Sequence, residues 1–220
     1  MKTTRSALVV GATGLVGIDL VKLLCNSEKY DLVKIIVRRP VEYSHPKLEV
    51  HICDFDKLTS QDIGEVQDVF CCMGTTIKKA GSREAFKKVD FEYPRTIAAL
   101  AKKQGAEHFI IITAMGANEK SLSHYGRVKG QIEKELIAMD FLRLSILRPS
   151  LLTGSRSEFR LGERIGALVL KVINPIFVGT MRKYRSISGQ QVAYAMKSIA
   201  LSRNEQKVTI YPSDEIAKIK

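Results

Sequence analysis

No two of the four cysteines, Cys25, Cys53, Cys71 and Cys72, are spaced as C-x-x-C, which removes the commonest zinc and redox-dithiol patterns. Each lies in or beside an apolar run, and adjacent Cys71 and Cys72 would face opposite sides of a strand. The expectation is reduced, buried cysteine in a cytoplasmic protein, with no disulfide framework and no metal site. No uninterrupted apolar stretch reaches the ~18 residues needed to span a bilayer. Lys2 and Arg5 ahead of the apolar residues 7–17 imitate a signal peptide, but Asp19 and Lys22 interrupt the run and no small-x-small cleavage pattern follows. There is no internal repeat and no low-complexity tract. No five like charges adjoin, so a basic tail is excluded.

What is present fits one globular domain: 220 residues, 45% hydrophobic and 26% charged. The formal net charge is +12, divided as +3 over residues 1–110 and +9 over residues 111–220. A solvated basic face is the expected reading of this excess. The arginines lack interleaved aromatics and no nucleic-acid module is recognisable, so nucleic acid is not an expected partner.

Strand-like and helix-like segments alternate. Apolar, β-branched runs at residues 6–10, 33–37, 48–53, 66–72, 108–113 and 142–147 read as strands. Residues 14–25, 83–104 and 121–139 have helical spacing of apolar positions. Strands apolar on every residue are covered on both faces, and their alternation with helices makes a doubly wound α/β fold around a parallel sheet. Residues 150–220 form a small lobe on the substrate side, with an apolar stretch at 165–173. A Ser-x-x-Gln cap at Ser188–Gln191 opens a helix through Leu201, a last strand lies at 208–210, and a short closing helix follows Pro212.

The turn Gly11-Ala-Thr13-Gly14-Leu15-Val16-Gly17 is a G-x-x-G-x-x-G loop set between the first strand and a helix. Glycine there allows a tight turn and lets backbone approach a pyrophosphate, which meets the positive helix end. At the end of the second strand, where a carboxylate would hold the ribose 2′-hydroxyl of NAD, stand Arg38 and Arg39. Guanidinium forks match a 2′-phosphate, so NADP(H) is favoured over NAD. Asp54 is placed to hold the adenine amino group, with Phe55 beside it; Gly74, Thr75 and Thr76 lie across the cofactor from the glycine loop.

Tyr125-Gly-Arg-Val-Lys129 opens the helix after the fifth strand, and its i,i+4 spacing puts both side chains on one face. A cation beside a phenol favours the phenolate and equips Tyr125 for proton transfer. Lys129 also reaches the nicotinamide ribose hydroxyls. Thr113, twelve residues earlier, offers a hydroxyl to the substrate oxygen.

These segments (GATGLVG, VRRP, CDFDKL, FCCMGTT with KKAG, FKKVD, YGRVKG and SILRPS) run in order from position 11 to 150, about two thirds of the chain. Together they resemble the short-chain dehydrogenase/reductase superfamily, in its atypical group around the HIV Tat-interacting protein and its small bacterial and fungal relatives. The resemblance implies an NADP(H)-binding Rossmann domain of six or seven parallel strands. It also implies a Ser/Tyr/Lys catalytic set carried by Thr113, Tyr125 and Lys129, threonine standing for serine. Pro149 and Ser150, after Arg148, match the segment that passes the nicotinamide end. The function this supports is hydride transfer between nicotinamide and a small carbonyl or alcohol substrate. Arg156, Arg160, Arg164, Arg182 and Arg185 would favour an acidic one. The alternative is a non-catalytic NADPH-responsive module that binds another protein. Residues 159–177, apolar with Arg160, Arg164 and Lys171 interspersed, suit a helix over the substrate cleft or, less well, contact with an anionic membrane surface.

Overall fold

The computed structural model describes residues 4–154 and 184–220. Strand β1 (Arg5–Val10) leads through the glycine turn into α1 (Gly17–Cys25), β2 (Tyr30–Val37) and β3 (Leu48–Ile52). After a 3₁₀ turn (Phe55–Lys57) come α2 (Ser60–Ile63), β4 (Asp68–Cys71), α3 (Ile77–Ala80) and α4 (Arg83–Lys87). A π-helical turn (Lys88–Glu92) joins α4 to α5 (Tyr93–Lys103), so the single helix expected over 83–104 is interrupted. The rest is β5 (His108–Ile112), α6 (His124–Ala138), β6 (Arg143–Arg148), β7 (Leu152–Thr153), β8 (Ile187–Ser188), α7 (Gly189–Leu201), β9 (Val208–Pro212) and α8 (Ser213–Ile216). The stretch expected to be apolar at 165–173, and the wider 159–177, lie outside the described residues.

Seven strands pair in parallel in the order β3-β2-β1-β4-β5-β6-β9. This is the doubly wound fold expected from the alternating pattern. Side chains alternate across the sheet. Ala7 and Val9 join the core under α1 and α7, whereas Leu8 and Val10 join the core under α5 and α6. Both cores close without solvent, which is why these strands read as continuous apolar runs. The chain runs outward from β1 to β2 and β3, then returns to the other side of β1 with β4. The order therefore reverses between β1 and β4, and that junction leaves a crevice outside the carboxyl ends of the strands.

The opposite ends of the strands are tied by buried charge. Asp68, fully buried at the start of β4, accepts from Arg5 Nε at 2.7 Å, Arg5 Nη2 at 2.9 Å and the Tyr30 hydroxyl at 2.7 Å. This explains why β2 begins at Tyr30, three residues before its apolar run: the ring is buried and its hydroxyl closes the network. On β5, His108 contacts Ser145 Oγ at 2.9 Å and Arg143 Nη2 at 2.6 Å. Burial, then the charges of Arg143 and Arg5, push the His108 imidazole down to about 3.

Two outcomes follow for stability. Replacing Asp68 by Ala strands the buried Tyr30 hydroxyl, leaves Arg5 with Glu107 Oε2 at 3.0 Å, and lowers the free energy of urea unfolding by about 3 kcal/mol, near the bottom of the range for a broken buried pair because Arg5 keeps that partner and some solvent. His108 is neutral in the fold and takes up a proton more readily once unfolded. Its contribution is therefore complete above pH 6.5 and is lost as the pH falls from there towards 3. His108→Asn should flatten the acid side of the stability–pH curve, and an unchanged slope would count against this origin.

Candidate functional site

The glycine turn is shaped by two close approaches. Gly11 has φ +76°, and a Cβ there would stand 2.6 Å from the carbonyl of Cys72 at the end of β4. At Gly17 a Cβ would overlap the Gly11 carbonyl, so only glycine lets α1 start this close to the turn. No side chain caps the first turn of α1, whose N-cap is Val16. Ile18 N donates to the Gly14 carbonyl at 3.1 Å, and the positive dipole end of the helix stands at the turn as an anion site. The cradle and the uncapped helix fit the phosphates of a dinucleotide. Thr13 is exposed and Gly11 and Gly14 are half-buried. The side chains of Leu15 and Val16 are used elsewhere. Val16 is 4% exposed in the core, and Leu15 packs under Gly154 and Gly189, where a Cβ would come within 2.5 and 2.8 Å of it. These two can meet a phosphate only through backbone.

Arg38 and Arg39 follow β2 and are both exposed. Asp54 caps the 3₁₀ turn by accepting from Asp56 N at 3.0 Å, leaving its other oxygen for a ligand. Phe55 is 7% exposed and packs against Tyr93 at a centroid distance of 5.5 Å, which makes it a core residue rather than a cofactor contact. Across the crevice, the Thr76 hydroxyl is occupied in capping α3 through Lys79 N at 3.1 Å. Thr75 N donates to Asp90 Oδ2 at 2.9 Å.

Tyr125 and Lys129 occupy one face of α6, which Ser123 caps by accepting from Gly126 N at 2.9 Å. The phenol is 37% exposed, its ring lying against buried Phe86 at 5.4 Å. Lys129, 4% exposed, points under Gly74 and pairs with Asp90 Oδ1 at 2.8 Å. Burial by itself would lower the Lys129 ammonium, but Asp90, followed by the oxygen of Tyr125, outweighs it and the net direction is upward. Asp90 is 1% exposed and sits in the π-helical turn. Turns of this kind are frequent at functional positions. Desolvation pushes the neighbouring Cys71 thiol up to about 11, so it stays protonated and unreactive.

Sequence reasoning missed Asp90, although a lysine this deep needs a counter-ion and that need was a usable signal. It also missed the spacing Gly126-x-x-x-Gly130. A Cβ at Gly130 would overlap the backbone of Asn118 and Glu119, and one at Gly126 would come within 2.6 Å of Ser121 Oγ. The loop between β5 and α6 therefore lies directly on the helix that carries Tyr125 and Lys129.

Thr113 is held differently from the expectation. It is 4% exposed, and its single hydroxyl hydrogen goes to buried Glu133 Oε1 at 2.6 Å. Glu133 is also gripped by Arg148, through Nε at 3.0 Å and a second bond from Nη2. Thr113 thus fastens the end of β5 to α6 and β6 instead of offering its proton to a substrate. Pro149 is buried, with its carbonyl accepting from Met115 N at 3.0 Å. The Ser150 hydroxyl is bonded to the Arg185 carbonyl and, at 2.9 Å, to Ser213 Oγ. Arg156, Arg160, Arg164 and Arg182 lie outside the described residues, and Arg185 is half-buried.

Comparison with known proteins identifies the family. Residues 11–174 match the family described as NAD(P)H-binding. The mitochondrial protein FMP52 of Debaryomyces hansenii is 33% identical over 193 residues, 86% of this chain and 84% of its own. HTATIP2 of Rattus norvegicus is 34% identical over 169 residues, 72% of this chain and 67% of its own. The solved structure of MoeE5 with UDP-glucuronic acid and NAD superposes with a TM-score of 0.72 at 17% identity, covering 93% of this chain and 75% of that one, a likeness of fold. The chain belongs to the NAD(P)H-binding family, in the atypical short-chain dehydrogenase/reductase group of these two relatives. One expectation is corrected: the fungal relatives are mitochondrial by name, which overturns the cytoplasmic reading drawn from the cysteines. Reduced cysteine does not separate these compartments.

Gly130→Ala should lower the melting temperature, because the 118–119 backbone must move. Overpacking of this kind costs about 1–3 kcal/mol. Thermal unfolding followed by circular dichroism checks it, and an unchanged midpoint would show that the loop yields freely.

Proposed function

We propose that this member of the NAD(P)H-binding family is an NADP(H)-dependent oxidoreductase acting on a small carbonyl or alcohol substrate. The observation that carries the reading is the crevice at the β1–β4 reversal. On one wall stands an uncapped helix terminus behind a glycine cradle. On the other stands a half-exposed tyrosine beside a buried lysine. The backbone of residues 11–17 would hold the pyrophosphate, Arg38 with Arg39 the 2′-phosphate, Asp54 the adenine, and Lys129 the ribose next to nicotinamide. Bound cofactor supplies the hydride donor or acceptor. Tyr125 handles the matching proton at the substrate oxygen, giving it up as the carbonyl carbon gains hydride or taking it back as an alcohol is oxidised. A non-catalytic NADPH-responsive module is the second reading. It is favoured by Thr113, whose hydroxyl proton is spent on Glu133.

Titration with NADPH and NADH tests the cofactor. NADPH should bind more tightly, and Arg38→Ala should weaken it about tenfold or more while leaving NADH nearly unchanged, as for loss of one charge-assisted contact. Equal affinity for both cofactors would remove the 2′-phosphate assignment. Tyr125→Phe should cut turnover of a carbonyl substrate by about a hundredfold or more with cofactor binding retained. Undiminished turnover would leave the second reading in its place.

A further inference from the structure

A lysine beside a catalytic phenol ordinarily serves to make that phenol acidic, because its positive charge favours phenolate. In this chain the lysine's charge is already answered. Asp90 places one carboxylate oxygen 2.8 Å from Lys129 Nζ and the other 2.9 Å from Thr75 N. Both partners of the pair are buried, with side-chain exposures of 5% and 0%. The charged or titratable groups that act on the ammonium are Asp90 from the π-helical turn, Tyr125 from its own helix and the Cys71 thiol from the end of β4. Of these, the Asp90 carboxylate lies nearest the ammonium, at 2.8 Å, and burial keeps the Cys71 thiol protonated. Seen from the phenol, the ammonium and the carboxylate form a nearly neutral dipole in a medium where an unpaired charge would be felt strongly.

We infer that Asp90 is a positioning residue that takes up the charge of Lys129, keeps Tyr125 as a proton donor at neutral pH, and so sets the site for carbonyl reduction rather than alcohol oxidation. In reduction the carbonyl carbon gains two electrons as hydride, and its oxygen gains the Tyr125 proton. The products are an alcohol and a tyrosinate, which is reprotonated from water. Oxidation would need the tyrosinate at the start, and the Asp90–Lys129 pair withholds the field that would produce it. The second carboxylate oxygen serves a separate purpose: it holds the Gly74–Thr75 backbone over the lysine, so loop and charge are anchored by one side chain. Asparagine at position 90 would keep an oxygen for Thr75 N and lose only the charge, which lets the two purposes be told apart.

The direction of reaction rests on the oxidoreductase reading, but the test does not. The probe is the near-ultraviolet absorbance of phenolate, followed against pH in the full chain without cofactor, with Tyr125→Phe subtracted to isolate one residue. In Asp90→Asn the buried ammonium is left with only the Tyr125 oxygen and the buried Cys71 thiol as groups that can answer its charge, so the Tyr125–Lys129 pair should lose its first proton at a pH lower by about one unit or more. Adding Lys129→Met to Asp90→Asn should return the onset towards wild type. An onset in Asp90→Asn equal to wild type, in a protein with native circular dichroism, would overturn the inference. Should Asp90→Asn not fold, Lys129→Met alone is compared with the double variant. The bare Asp90 carboxylate should then raise the phenolate onset above that of the double variant, and equal onsets would again overturn it. With NADPH and a carbonyl substrate, the alkaline loss of reduction in Asp90→Asn should move down by the same interval. If the titration shifts but no NADPH binds, the electrostatic role of Asp90 stands and the oxidoreductase reading fails.

Discussion

A parallel sheet buried on both faces has to place every strand-to-helix turn of one kind at the same edge, because each strand enters the sheet from the same side. Here that edge collects the ends of β1, β2, β4, β5 and β6. The reversal between β1 and β4 opens the gap into which a ligand can fit. The gap is kept narrow by the contact of Gly11 with the Cys72 backbone. Only a residue without a side chain, free to take positive φ, permits that approach. The close seating of the glycine turn against the end of β4 depends on it.

The second organising feature is the pairing of buried carboxylates with buried or half-buried cations. Asp68 meets Arg5 at the amino ends of the strands, while Glu133 meets Arg148 and Asp90 meets Lys129 near the carboxyl ends. Each pair removes two charges from water and is stable only with further hydrogen bonds. Tyr30 supplies one at Asp68, Thr113 at Glu133 and the Thr75 amide at Asp90. The first pair locks the sheet away from the site. The second takes over a hydroxyl that the Tyr-Lys pattern had suggested for the substrate. The third lies on the face of α6 that carries Tyr125 and ties the Gly74–Thr75 backbone to it. One theme, repeated at three depths, thus gives stability, geometry and electrostatics.

The glycine loop, the double arginine after β2 and the Tyr-x-x-x-Lys pair were legible because each is local. A turn needing positive φ, a strand end and an i,i+4 helix face all leave their mark within seven residues. Phe55, Val16 and Leu15 lie beside such motifs and were drawn into the candidate site with them, but a neighbour in sequence on a strand or helix often faces the other way. Phe55 and Val16 belong to the two cores, and Leu15 lies under the β7–β8 junction. Compartment was misread for a different reason: free cysteine reports a reducing or unreactive setting and does not carry an address.

The sequence by itself determined the doubly wound class and the glycine turn between β1 and α1. Periodicity and glycine placement are properties of short segments and hold before the chain is closed. Only the tertiary structure decided which charges meet. Asp90 is separated from Lys129 by 39 positions, and Thr113 from Glu133 by 20. No short-range pattern announces that one π-helical turn rotates a carboxylate beneath a lysine, or that a strand-end hydroxyl turns inward to a buried glutamate. Burial removes water from these groups, so each is obliged to find a partner, and the packing of β4, β5 and α6 determines which one is within reach.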